Sequence, residues 1–422
     1  MIEFTTNTSM RIKDLTPITL LMLNAWPAGK ISALAEVPFE QVNVGTYLSN
    51  PHCKALGDLD GDSYPDLAAA GGYANGALIW YRYVNRTNWN RHVIATNAPT
   101  TYGFTTSMEL GDVDGDGDLD IIVPTGARST GGHTGDHVWW FENPRPSSDP
   151  RTNVGIKHDI GVAGAHDLVG GDVNGDGRLD VVAQLQSVTL FIQATTGGWT
   201  KVTVATTADE GTALGDIDRN GDLDIVVGGR WLENPLPAGP VTGPWTPRSY
   251  DNSIAPNTTK WACWVADLNR DGRPDIVLAP GDFVYDGRLR VYLAPADPRS
   301  GTWMRNDALS GSGMLHGLQV ADMDRDGSLD LVTAEMEQST TGKRVMILYK
   351  RDGSGTNWSA PQVVGTTGSH WVKVGDIDRD GDLDIYGINH GNNGGDVNVH
   401  VRRNLRSEQG NFSLEKHKAG PL

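Results

Sequence analysis

At 422 residues the chain is long enough for two or three domains, and its 52 glycines and 22 prolines against 7% aromatic residues suit many short strands and turns. A formal charge of −17 argues against nucleic acid as a partner. No run approaches the length of a membrane-spanning helix, so no membrane span is expected.

Residues 1–38 stand outside the pattern that governs the rest. Met10-Arg-Ile-Lys13, an apolar stretch to Trp26 and Ala33-Leu-Ala35 have the outline of a secretory signal, interrupted by Asp14, Pro17 and Asn24. A cleaved leader and a packed N-terminal arm both stay open. From residue 39 to 422 one repeat phase predicts a single domain. Its first copy places Asp58, Asp60, Asp62 and Asp66 in a nine-residue loop that runs into Leu67-Ala-Ala-Ala70. The second has Asp112, Asp114, Asp116 and Asp120 before Ile121-Ile-Val123. The third and fourth have Asp172, Asn174, Asp176 and Asp180, then Asp216, Asp218, Asn220 and Asp224. The fifth has Asp267, Asn269, Asp271 and Asp275, and the sixth Asp322, Asp324, Asp326 and Asp330. The seventh has Asp376, Asp378, Asp380 and Asp384.

In each copy these residues hold positions 1, 3, 5 and 9 of the loop. Carboxylate oxygens at alternate positions of a tight loop can converge on one cation, and calcium accepts six to eight of them. Glycine at position 6 permits the sharp turn, and the carbonyl at position 7 is a further ligand. An EF-hand would carry glutamate at position 12 between helices. Here a strand follows position 9, so each loop is a strand–loop–strand calcium site. Loop starts are 54, 60, 44, 51, 55 and 54 residues apart. A period near 50 made of short strands predicts an all-β, seven-bladed propeller, one four-stranded blade per copy, with a calcium loop between strands A and B. These copies resemble FG-GAP/VCBS repeats over roughly residues 39 to 404, a resemblance specific for fold and not for function. The fourteen charges of seven Ca²⁺ would bring −17 to −3, so the acidity belongs mostly to the loops. Loops of this kind need calcium at extracellular levels, which predicts an extracellular or periplasmic location.

Cys53 and Cys263 fall on strand A of repeats one and five, too far apart around a ring to pair, and are expected as buried thiols. Trp89, Trp199, Trp245, Trp303, Trp358 and Phe412 recur where strand D opens, a fixed phase that favours packing between blades over sugar platforms. Phe39-Glu-Gln-Val-Asn-Val44 shares that phase and is expected to close the ring in the last blade, with Phe412–His417 as the competitor. His92, His158 and His417 are expected at the solvated rim.

Six residues before each loop stand His52, Thr106, His166, Glu210, Trp261, His316 and His370. Four histidines at one phase, in a chain holding eleven, mark the start of strand A at the mouth of the axial channel. The B–C loops open on the same face with Tyr73, Arg128, His133, His137, Arg230, Asp282, Tyr285, Glu335 and His390. Two chemistries suit this set. Neutral imidazoles facing one point can hold zinc or another divalent metal with an open position. Alternatively His52, His166, His316, His370, His390 or Tyr73 transfers protons while Arg128 or Arg230 neutralises the developing enolate. Both lead to β-elimination. With the Trp140-Phe-Glu-Asn-Pro144 and Trp231-Leu-Glu-Asn-Pro235 turns, this resembles propeller-type uronate lyases and the propeller domain of aldos-2-ulose dehydratases. The resemblance implies a carbohydrate lyase or dehydratase acting on a uronate glycan or keto-sugar. The alternative is a non-catalytic, glycan- or protein-binding FG-GAP propeller.

Overall fold

The apolar run behind each aspartate loop is buried along its whole length in all seven repeats, from Asp66–Gly71 to Asp384–Ile388. A strand covered on both faces needs continuous apolar side chains instead of alternation. Sheets stacked face to face around a ring supply that cover.

The computed structural model describes residues 36–46, 51–71, 76–96, 104, 107–125, 136–207, 209–258, 260–281, 287–389 and 397–408. The chain divides into residues 1–36 and a unit spanning Val37–Leu422. The expectations about residues 1–35 lie outside the described residues. Within the second unit the described strands form seven four-stranded antiparallel sheets. Each innermost strand touches those of the two neighbouring blades, and Trp371–Gly375 of blade 7 meets Pro51–Gly57 of blade 1, which closes the ring. This is an all-β, seven-bladed propeller.

The last blade takes its outer strand from the start of the chain. Phe39–Thr46 pairs antiparallel with Asn398–Asn404, Phe39 opposite Asn404 and Val42 opposite Val401. The Leu405 N–H donates to the Pro38 carbonyl at 2.9 Å, extending the seam. The competing stretch, Phe412–His417, lies outside the described residues.

One apolar cluster fills each of the seven blade interfaces. Trp245 and Trp303 belong to these clusters, and Trp89, Trp199 and Trp358 pack against them, so the recurring aromatics are packing residues. His92 and His158 lie half-exposed on the outer strands of their blades. They stack on Trp80 and Trp140 of the adjacent strand C, with ring centroids 4.5 and 4.2 Å apart, and His158 Nε2 lies 2.7 Å from Glu142. Cross-strand ring contact orients them at that rim. Cys53 and Cys263 are buried and unpaired, and burial pushes the Cys53 thiol up to about 12.

Candidate functional site: aspartate loops and an axial histidine cluster

All seven loops share one hydrogen-bond design. The position 9 aspartate is buried and uses both oxygens, one accepting the position 2 N–H and the other an N–H at the end of strand C. These bonds measure 2.8–3.1 Å in every blade. The position 1 aspartate gathers loop N–H groups, as Asp112 does from Gly115 at 2.7 Å and Gly117 at 3.0 Å. Position 6 is left-handed throughout: a glycine in six loops and Ser63 (φ 76°) in the first. Donor oxygens of Asp58, Asp60 and Asp62 lie within 4.8 Å of one another. The same holds for Asp112, Asp114 and Asp120, for Asp216, Asp218 and Asp224, and for Asp322, Asp324 and Asp330.

The loops differ in what already sits on the carboxylates. Arg82 pairs with Asp60 and with Asp62 (2.6 Å), Arg299 with Asp218, and Arg403 with Asp378 (2.9 Å). Arg178 and Arg273 pair with Asp176 and Asp271. Among the described residues no arginine pairs with the site aspartates of loops two and six. At position 7, Asp118 and Asp222 have both carboxylate oxygens buried without a hydrogen bond among the described residues. Burial pushes them up to about 7 and about 6. Sequence reasoning assigned only the position 7 carbonyl, although the recurring Asp-Leu-Asp was visible. Crowded, unsatisfied hard oxygens are a donor set suited to Ca²⁺.

On the axis, His166, His316 and His370 come together. The His166 and His316 ring centroids are 5.7 Å apart, and those of His316 and His370 4.4 Å. Strand A of blade 6 (Leu315–Ala321) shifts register between Leu315 and Gly317. His316 is therefore the extra residue of a bulge, a device that re-aims a side chain. It is 1% exposed. A Cβ on Gly281 would sit 2.7 Å from its ring, so glycine there makes room for it. Carboxylates surround the cluster. Glu210 Oε2 lies 3.6 Å from His166 Nδ1, Asp167 Oδ1 lies 3.5 Å from it, and Glu337 Oε2 lies 3.2 Å from His370 Nδ1. Glu210 gives its other oxygen to Lys260. Below this cluster runs an axial cavity of ≈ 300 Å³ lined by all seven innermost strands, among them Lys54, Asp167, Trp371 and Lys373. Burial, reinforced by Lys373, brings the Lys54 amine down to about 7.

A model of the FG-GAP-like repeat matches residues 58–123, 172–227, 267–333 and 338–387, more than half of the chain. The chain belongs to the FG-GAP-like repeat family. No curated protein matches it. Among solved structures the FG-GAP-like chain is similar to the BP39L lectin from Burkholderia pseudomallei, at 14% identity and TM-score 0.54, over 84% of this chain and 95% of the lectin. It is similar to BBS1N, solved in complex with ARL6DN, at 12% identity and TM-score 0.51, over 88% and 97%. The V. cholerae biofilm matrix protein Bap1 matches at 11% identity and TM-score 0.45, over 87% and 91%. At these identities the likeness concerns fold.

Within the FG-GAP-like blades the Trp-[Leu/Phe]-Glu-Asn-Pro turns serve the scaffold. Asn143 Nδ2 donates to Leu59 O (2.8 Å) in the preceding blade's loop and to Leu119 O (3.1 Å) in its own. Asn234 does the same to Val173 and Leu223, and Asn404 to Met323 and Leu383. Gln193 and Lys350 reach the preceding loop from the same phase. Of the sequence-predicted axial residues, the structure brings His166, His316 and His370 together. Arg230 lies 3.5 Å from buried Asp209. His137 pairs with Asp159 at 2.8 Å. Tyr73, Arg128, His133, Asp282, Tyr285 and His390 lie outside the described residues, as does the side chain of His52. Glu335 is not an axial group. Arg344, Thr341 and the Gly313 N–H occupy it, and against the effect of burial they hold its carboxyl down at about 2. Its neighbour Glu337, which sequence reasoning missed, faces His370. Residues two apart in a strand share a face, but the strand ends at Glu335 and Glu337 lies in the turn beyond it, where that period no longer tells which way a side chain points.

Proposed function

We propose that this FG-GAP-like propeller is a ligand-binding module, braced by calcium in its aspartate loops, that takes carbohydrate on the axial face opposite those loops. The observation that carries the non-catalytic reading is the commitment of the ionisable groups. An elimination needs a base and a cation free to meet substrate. Among the described axial groups, Arg230 faces Asp209, His370 faces Glu337 and Lys260 holds Glu210. His316 and His370 are 1% and 5% exposed, too enclosed for a glycan chain to lie against their rings. Seven hydrogen-bonded loops and seven filled interfaces give a rigid frame, which lowers the ordering cost of holding a ligand on its rim loops. The lectin among the similar structures agrees with this reading.

The second reading is β-elimination on a uronate glycan or keto-sugar. It draws on the three adjacent imidazoles and on Lys54, whose lowered amine is a base at neutral pH. One experiment separates the two. Calcium-saturated protein is titrated calorimetrically with neutral and uronate oligosaccharides while ultraviolet absorbance follows unsaturated product. Binding without product supports the module. Product formation, lost in His370→Ala, overturns it in favour of the lyase. Absence of both overturns the carbohydrate assignment.

A further inference from the structure

We propose that His166, Glu210 and His316 form a binding site for one divalent transition-metal ion, Zn²⁺ by the chemistry of the donors, on the propeller axis and distinct from the aspartate loops. One ligand atom from each lies within 4.8 Å of the other two. The 3.6 Å between His166 Nδ1 and Glu210 Oε2 is too long for a hydrogen bond. It is close to the roughly 3.3 Å edge of a tetrahedron of ligands about 2.0–2.1 Å from zinc.

His316 supplies the independent observation. At 1% exposure neither ring nitrogen has a hydrogen-bond partner among the described residues. Glu210 Oε2, on a residue 3% exposed, is also buried without a hydrogen bond among them. Buried polar atoms are almost always satisfied, so an unsatisfied nitrogen and an unsatisfied carboxylate oxygen turned to one point indicate a missing common partner. A cation that accepts lone pairs from both is such a partner.

The surroundings suit that ion. Lys260 holds the other Glu210 oxygen, which fixes the carboxylate and leaves Oε2 for the metal. His370, held by Glu337, lies 4.4 Å from His316 and Trp371 meets it edge-on at 4.7 Å, so the ring cannot swing away. Asp167 adds negative charge 3.5 Å from His166. Two imidazoles and one carboxylate are borderline donors that favour zinc over calcium, which takes oxygen. Three protein ligands leave a coordination position open. The donors come from blades 3, 4 and 6, so the site is assembled only by ring closure.

The test uses the full chain, stripped of metal and returned to excess Ca²⁺ so that the aspartate loops are filled. Zn²⁺ is titrated by calorimetry, and Co²⁺ serves as a visible-absorbing surrogate. One Zn²⁺ per chain that calcium does not displace is expected, with Co²⁺ bands of a low-coordinate nitrogen–oxygen site. His316→Gln and Glu210→Gln should each weaken Zn²⁺ binding at least ~100-fold. His92→Ala, remote from the axis, should leave it unchanged. Should His316→Gln fail to fold, Glu210→Gln alone decides. Absence of a stoichiometric Zn²⁺ site in the wild-type chain, or equal affinity in the folded axial variants, overturns the proposal.

Discussion

Calcium should matter more as pH rises, and the position 9 aspartates set the size of the effect. Burial pushes Asp66, Asp224 and Asp384 from 3.8 up to about 8. A carboxyl whose folded value lies above its unfolded one stabilises the metal-free fold fully below pH 4. That contribution is lost as pH climbs through 8. Each displacement is worth on the order of 5 kcal/mol, so the three together reach the upper range of a domain's total stability, about 5–15 kcal/mol. Each is also worth roughly 6 °C in Tm for a chain of this size. A bound cation reverses the sign, because it favours the ionised form. Melts followed by circular dichroism between pH 5 and pH 8, in chelator and in millimolar Ca²⁺, measure both limbs. In chelator, Tm should fall steadily with pH. The gain on adding Ca²⁺ should be small at pH 5 and tens of degrees at pH 8. A metal-free Tm that is flat or rises across this range would refute the reasoning, as would a calcium gain equal at both ends.

Loops two and six, which no described arginine pairs with, should fill first in a calcium titration. Arg82→Ala should tighten the first loop several-fold, measured by calorimetry. Asn234→Ala strips the preceding blade's Val173 carbonyl and its own Leu223 carbonyl of a donor at a site 2% exposed. It should cost about 2–3 kcal/mol in urea unfolding, against under about 0.5 kcal/mol for a surface asparagine. Val42→Asp puts a charge into the closing seam and should cost at least 3 kcal/mol by the same measurement, with Glu40→Ala far milder.

The aspartate spacing and the apolar runs behind it determined the blade and the blade number. Backbone turn geometry and burial on both faces of strand B are local requirements, and each repeat must meet them in its own residues. The phase of Phe39–Val44 marked one of two candidates for the closing strand, and the pairing of Phe39–Thr46 with Asn398–Asn404 chose between them. What only the tertiary structure decided is which long-range partners meet. His166, Glu210 and His316 are brought together by the ring across 44 to 150 residues of chain, and a one-residue bulge aims His316. Glu335 and Glu337 look alike in sequence, yet Arg344 holds one and the axis receives the other. Arg178 and Arg273 stand at position 7 of the loops they pair with, but Arg82 and Arg403 come from strand C and Arg299 from the next blade. No spacing rule within one repeat encodes such contacts, because they depend on how the sheets pack against one another.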